Sequence, residues 1–284
     1  MSENLIEVFR FKGKADGPTL LMFGAIHGNE VAGPKVLLPL IDKLSNGEMA
    51  LDCGQLIIAP ICNPRAHDEN KRYIDINLNR LFGAPPRQDG YETALVGQLE
   101  ALIGECDYLL DIHSTHSSGD PAFSFADRTK SKSMEFAKAL GVDTIILDWE
   151  KVYPGEDFST EAYTNRMGKV GITLEAGYHN DPEAIGVAER AMWQAIRFLG
   201  LMSGVDEVKS HPRYLKFTDR VMFEDGDRFT KSWVHMEPVA KGQGIYTRGN
   251  GETVVAEQDG VILIPFEQAQ AGDDFYYFGV QEAA

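Results

Sequence analysis

Thr19-Leu20-Leu21-Met22-Phe23-Gly24-Ala25-Ile26-His27-Gly28-Asn29-Glu30 is the stretch on which the fold turns. Thr19–Ile26 is apolar without alternation, as expected of a strand buried on both faces of a largely parallel sheet. It stops at the polar His27-Gly28-Asn29-Glu30, where a helix candidate over 30–46 begins. Four further runs of the same kind follow at Gln55–Cys62, Tyr108–Ile112, Thr144–Leu147 and Gly171–Leu174. Helix candidates lie between and after them at 91–104, 131–140, 158–168 and 182–203. The last of these repeats Ala184, Val187, Ala188, Ala191, Met192, Ala195 and Leu199 at helical spacing, a core-facing stripe. Alternating strands and helices over the first ~200 residues predict an α/β layered fold with a mixed, largely parallel sheet.

Near Ser203-Gly204-Val205-Asp206 the pattern changes. Asn250-Gly251 between Ile245–Arg248 and Thr253–Ala256 is a hairpin signal, and Asp259-Gly260 introduces another strand candidate, Val261–Phe266. The expectation is an α/β domain over 1–206 and a small all-β domain over 207–284. A length of 284 residues agrees with one or two domains at roughly 150 residues each. There is no internal repeat or low-complexity segment.

Composition narrows the function. The chain is 43% hydrophobic and 25% charged, an ordinary globular balance. Its net charge of −16 argues against nucleic acid, whose affinity rests on phosphate neutralisation by Lys and Arg, and against docking on anionic lipid. No run of about 18 apolar residues suggests a membrane span. Met1-Ser2-Glu3-Asn4 lacks the basic-then-apolar pattern of a signal peptide. Cys53, Cys62 and Cys106 are few, odd in number and without C-x-x-C spacing, as reduced thiols are. A cytoplasmic location is expected.

The polar ends of the strand candidates carry the chemistry. Ligands at i and i+3 across a strand–helix junction, His27 and Glu30, can converge on one metal because the turn folds both toward one point. Leu109-Leu110-Asp111-Ile112-His113 ends another strand, and carboxyl ends of strands in an α/β sheet share a crevice. His27, Glu30 and His113 can therefore meet, and two imidazoles with a carboxylate and one open position form a catalytic zinc set. Asp111, on the same strand face as His113, can orient an imidazole. Gly171-Ile172-Thr173-Leu174 ends in Glu175, an acid that is costly after a buried run unless it has a partner or a task. General-base work on a zinc-activated water is one such task; a helix-capping or loop acid is the alternative. Residues 63–80 hold four basic side chains against three acids in an otherwise acidic chain. Such a local reversal suits an anionic substrate, and a solvated loop is the other reading.

HGNE (27–30), NPRA (63–66), the Asp-x-Asn-Leu-Asn-Arg-Leu-Phe run (75–82), DIH (111–113) and TLEAG (173–177) occur in an order that resembles the succinylglutamate desuccinylase/aspartoacylase family, relatives of the zinc carboxypeptidases. The resemblance spans about residues 19–180 and extends to the layout with a C-terminal β domain. It implies one zinc per chain on His27, Glu30 and His113, with Glu175 as general base and acid. It also implies that Arg65 polarises the scissile carbonyl while Asn79 and Arg80 hold the substrate's α-carboxylate. Tyr163 and Arg166 resemble the family's Tyr/Arg pair before the catalytic Glu, with spacings different by about one residue, and Tyr276 resembles its C-terminal Tyr. On the alternative reading, Arg166 lies on the solvated face of the 158–168 helix.

The expected activity is zinc-dependent deacylation of N-acyl amino acids, with an anionic small-molecule substrate and a homo-oligomer as an open option. Two readings compete with it. One is a metallocarboxypeptidase; a short chain whose β domain can roof the cleft favours a smaller substrate. The other is a non-catalytic zinc protein, but structural zinc sites are usually closed by four ligands rich in Cys, and no Cys lies within three residues of the three ligands. His116, three residues after His113, is a candidate fourth ligand that would close the site.

Overall fold

The computed structural model describes residues 6–85, 90–153, 157–204, 206–207 and 209–282. In chain order the elements are β1 (Phe9–Lys12), β2 (Ala15–Gly24), α1 (Ala32–Ser45), β3 (Cys53–Ala59), α2 (Pro64–Asp68), a 3₁₀ turn (Leu78–Arg80), α3 (Tyr91–Glu105), β4 (Tyr108–Thr115), β5 (Phe123–Ala126), α4 (Ser131–Ala139), β6 (Thr144–Leu147), α5 (Trp149–Val152), α6 (Thr160–Arg166), β7 (Val170–Tyr178) and α7 (Pro182–Phe198). The C-terminal part adds β8 (Arg213–Met222), β9 (Arg228–Phe229), β10 (Glu237–Val239), β11 (Gly244–Thr247), β12 (Thr253–Val255), β13 (Gly260–Leu263) and β14 (Asp274–Glu282).

The apolar runs form a mixed sheet in the order β1-β3-β2-β4-β7-β5-β6-β8-β14-β13-β10. Pairs β3–β2, β2–β4 and β4–β7 are parallel. Continuous apolar character has the expected cause: alternate residues of one strand serve opposite layers. Leu20 and Met22 face α1, α4 and α7, and Leu21 and Phe23 face α3, all four fully buried. Truncating any one of them to Ala costs about 2–5 kcal/mol. Because β2, β4 and β7 run the same way side by side, their polar carboxyl ends emerge at one edge of the sheet.

Two details depart from the sequence reading. The helix expected over 182–203 ends at Phe198, where Gly200 adopts φ +66° and stops it. Strand β13 ends at Leu263 rather than Phe266, because Ile264 takes φ +48°. The Asn250-Gly251 hairpin joins β11 and β12, with Gly251 at φ +88°.

The C-terminal strands are antiparallel, as expected, yet four of them continue the main sheet, since β8 pairs in parallel with β6 and β14 follows it. Among the described residues, β12-β11-β9 form a separate sheet. The core is shared across the expected 206/207 boundary: Phe123, Ile146 and Tyr153 pack with Phe217, Leu263 and Tyr277. Val205 in the expected linker and the N-terminal Met1–Asn4 lie outside the described residues. Among the described residues no helix is long and apolar enough to cross a membrane.

Candidate active site

His27 and Glu30 flank the tight turn between β2 and α1. Gly28 is required there, because a Cβ would lie 2.2 Å from the Ala66 carbonyl carbon of α2. Its N–H donates to the Arg72 carbonyl and its own carbonyl lies 2.8 Å from His67 Nδ1, which ties the turn to the 63–72 segment. His113 lies two residues before the end of β4, and its Nδ1 lies 3.2 Å from His27 Nδ1 and 2.9 Å from Glu30 Oε2. All three side chains are buried, and their ligand atoms lie within 4.8 Å of one another although His113 is 83 residues beyond Glu30.

Whether these residues fit a metal is decided by the far side of each ring. His27 Nε2 is 3.0 Å from Asn77 Oδ1, which also accepts the Asn79 N–H and is therefore the amide oxygen. Nε2 must then be the donor. Burial, reinforced by Arg72, pushes the His27 pKa down to about 4, so the ring is neutral and its Nδ1 carries a lone pair. That lone pair faces Glu30 Oε1 at 2.7 Å. A metal cation between them would satisfy both donor atoms. His113 Nε2 lies 2.9 Å from Asp111 Oδ2, which is held in turn by Thr160 Oγ1 at 2.5 Å. Carboxylate or amide acceptors behind metal-binding imidazoles set the tautomer that turns the other nitrogen toward the ion. Burial disfavours charge on His113, but the carboxylates of Asp111 and Glu30 outweigh it and hold its pKa well above the ordinary value without a metal. The same carboxylates are the natural partners of a bound ion. The set fits zinc by donor type, two imidazoles and one carboxylate.

Glu175 reaches the same place from β7, where it stands in register with His113. Its Oε2 is sealed from solvent without a hydrogen-bond partner among the described residues. Burial, with the Glu30 carboxylate nearby, raises its pKa to about 8.

The guanidinium at the triad is Arg72, not Arg65. Arg72 Nη1 donates to Glu30 Oε1 at 2.9 Å. Arg65 falls in the first turn of α2 behind Pro64, and that helix directs its Nε to Glu69 at 3.0 Å on the surface, with 57% of the side chain exposed. The structure therefore does not bring Arg65 to the triad. Arg72 is fixed beside it by its carbonyl's bond to Gly28. Asn79 is buried, and its Oδ1 accepts the Thr160 N–H at 2.9 Å. Arg80 extends from the same 3₁₀ turn, its guanidinium 5.5 Å from the centre of the Tyr153 ring.

The match to known proteins now bears on the site. The succinylglutamate desuccinylase/aspartoacylase catalytic domain matches residues 16–197. The chain belongs to that family. It is 28% identical over 88% of its length to the N-alpha-acetyl-L-2,4-diaminobutyric acid deacetylase of Halomonas elongata, covering 78% of that enzyme. It is 30% identical over 62% of its length to the succinylglutamate desuccinylase of Pseudomonas paraeruginosa, of which the match spans 56%. In fold it resembles the product-bound ectoine utilization protein EutE of Ruegeria pomeroyi, with a TM-score of 0.76 at 21% identity over 99% of this chain and 100% of that one. The succinylglutamate desuccinylase of Vibrio cholerae gives 0.81 at 18% identity over 96% of this chain and 85% of that one.

In this member of the desuccinylase/aspartoacylase family, Arg166, Tyr163 and Tyr276, which resemble the family's Tyr/Arg pair and C-terminal Tyr, are engaged with other protein groups. Arg166, at the exposed end of α6, donates to the carbonyls of Asp157 at 2.5 Å and Phe82 at 3.1 Å. Tyr163, one turn earlier, packs on Phe82 at 6.3 Å between ring centres. Tyr276 is buried against Tyr246, Phe229 and Phe275, in the core between the two sheets. Strand alternation sends its neighbour the other way: the Tyr277 hydroxyl donates to Asp274 Oδ2 at 2.7 Å and meets the Tyr153 hydroxyl. His116 is not among the clustered ligands and lies 5.7 Å, ring to ring, from Phe266 of the C-terminal part. Sequence reasoning passed over Asn77 and Tyr153, and it left Arg72 without a role within the basic segment 63–80, where its charge was the available signal.

Proposed function

We propose that this chain is a zinc-dependent amidohydrolase that removes the acyl group from an N-acyl amino acid, releasing a carboxylate and the free amino acid. The observation that carries the reading is the meeting, at one sheet edge, of the His27–Glu30–His113 cluster with the unpartnered, sealed oxygen of Glu175. One zinc ion per chain, held by those three ligands, would supply Lewis-acid polarisation of the scissile carbonyl and an acidified water. Glu175 takes the proton from water as the carbon–oxygen bond forms. It returns that proton to the nitrogen as the carbon–nitrogen bond breaks. A carboxyl pKa raised by burial suits both halves of that work near neutral pH. Arg72 is the donor for charge that develops on the carbonyl oxygen, and Asn79 and Arg80 hold the α-carboxylate, for which a planar guanidinium is well shaped.

The relatives support this class, since one is described as a deacetylase of an N-acetyl amino acid and the other as a desuccinylase of succinylglutamate. We assign the chemistry to residues 1–206 and the cover of the cleft to 207–284; the contact of Phe266 with His116 supports that division of labour. Three free cysteines agree with a reducing, cytoplasmic setting.

The deciding experiment is a panel of N-acetyl, N-succinyl and N-formyl amino acids assayed for released amine, with and without chelator. Release that is lost to chelation and restored by zinc is expected. Release unaffected by complete metal removal, or no release from any member, overturns the proposal.

A further inference from the structure

Arg80 lies on a short 3₁₀ turn, and a turn of three residues offers little of its own to direct a long side chain. Its guanidinium donates to the Asn79 carbonyl at 2.8 Å and lies 5.5 Å from the centre of the Tyr153 ring. That ring is itself held from several sides. Trp149 packs on it at 4.7 Å, and the Arg220 guanidinium of β8 stacks 4.0 Å from its centre. The Tyr153 hydroxyl donates to Asp274 Oδ2 at 2.5 Å and meets the hydroxyl of Tyr277. Asp274 is fixed in turn by Arg220 Nε at 2.5 Å. Arg220, Asp274 and Tyr277 all belong to β8 and β14, the C-terminal strands that extend the main sheet.

The arrangement has a direction. Arg220 is neutralised by Asp274, whereas Arg80 has no carboxylate within ion-pair distance among the described residues. Arg80 is thus the open guanidinium of the pair, and both lie over the ring of Tyr153. A cation over a partly desolvated ring is attracted to it while its N–H edges stay free for a ligand. We propose that Tyr153 is the positioning residue of the carboxylate site. It holds Arg80 in its binding orientation and is clamped in place by Asp274, Arg220 and Tyr277 of the C-terminal strands. This rests on the reading of Arg80 as the carboxylate partner. It gives those strands a second task besides covering the cleft, because they anchor the residue that sets substrate affinity.

Steady-state kinetics of the full zinc-loaded chain on its best N-acyl amino acid test this. The variants are Arg80→Ala, Tyr153→Leu, Tyr153→Phe and the double variant Arg80→Ala/Tyr153→Leu. Tyr153→Leu should raise KM about 5- to 20-fold with kcat within threefold of wild type. Tyr153→Phe, which keeps the ring but loses the hydroxyl held by Asp274 and Tyr277, should raise KM about threefold, less than Tyr153→Leu does. In the double variant, the loss of Tyr153 should add less than twofold to the KM of Arg80→Ala, since a residue acting through Arg80 has nothing left to position. If Arg80→Ala leaves KM unchanged, the carboxylate reading fails and takes the proposal with it. If Arg80→Ala raises KM while Tyr153→Leu does not, or if the two effects are fully additive, the positioning role alone is overturned. Should Tyr153→Leu not fold, Asp274→Asn loosens the ring without removing it. It should raise KM about threefold or more, and an unchanged KM overturns the proposal.

Discussion

Glu175 stands directly opposite His113 in the register of the parallel β4–β7 pair. Neighbouring strands in a sheet are about 4.8 Å apart, so register alone delivers a carboxylate beside an imidazole of the candidate metal cluster. No loop has to close to bring them together. His27 follows three residues after the end of β2, which pairs with β4 on the side away from β7. Burial, with the Glu30 carboxylate nearby, raises the Glu175 pKa to about 8.

The metal set is tested by zinc content. His113→Ala should bind well under one zinc per chain. Asp111→Asn, which removes only the charge behind His113 Nε2, should weaken zinc about 10- to 100-fold in a competition with chelator. Full stoichiometric zinc in His113→Ala would remove the triad from consideration.

Glu175→Gln keeps the shape and loses the proton acceptor. Zinc should stay bound while kcat falls about 10²–10⁴-fold. Turnover within threefold of wild type would show that another group moves the proton.

Arg72 and Arg65 separate cleanly by position. Arg72→Ala should lower kcat about 10²–10³-fold, the range for loss of one oxyanion donor. Arg65→Ala breaks a surface pair with Glu69 and should leave kcat and KM within about twofold. The reverse ranking would place Arg65 in the cleft.

Glu161 supplies a pH test of stability. Burial, followed by the charges of Asp157 and Asp127, raises its pKa to about 8. The folded chain therefore keeps a proton that the unfolded chain releases near the ordinary carboxyl pKa. Stability from this group is complete below about pH 4.5 and falls as pH rises toward 8. Glu161→Gln should leave Tm unchanged at pH 4.5 and raise it by roughly 2 °C or more at pH 8.5. Equal shifts at both values would contradict the raised pKa.

A second carboxylate on the substrate should gain nothing from Arg166, whose guanidinium is spent on two backbone carbonyls. Arg166→Ala should leave the ratio of kcat/KM for N-acetyl-aspartate over N-acetyl-alanine within twofold of wild type. A tenfold fall in that ratio would return Arg166 to the pocket.

Much of this architecture is legible in one dimension. Leu20, Leu21, Met22 and Phe23 can all be apolar only if both faces of β2 are covered, which implies helices on both sides of a parallel sheet. Parallel strands then bring their polar ends to one edge, so His27, Glu30, His113 and Glu175 could be grouped before any coordinates. What could not be read is direction off the regular elements. Arg65 and Arg72 sit in one basic segment, and only the packing of α2 on Gly28 turns the first to solvent and the second to Glu30. Tyr276 and Tyr277 are adjacent and alike, and only the pairing of β14 with β8 and β13 decides which faces Tyr153. The C-terminal strands likewise look like a separate unit by pattern, because a strand's sequence does not say which edge it will extend. Burial periodicity is a local property written residue by residue. Side-chain direction in loops and strand partnership depend on contacts many residues away, and these exist only once the chain has folded.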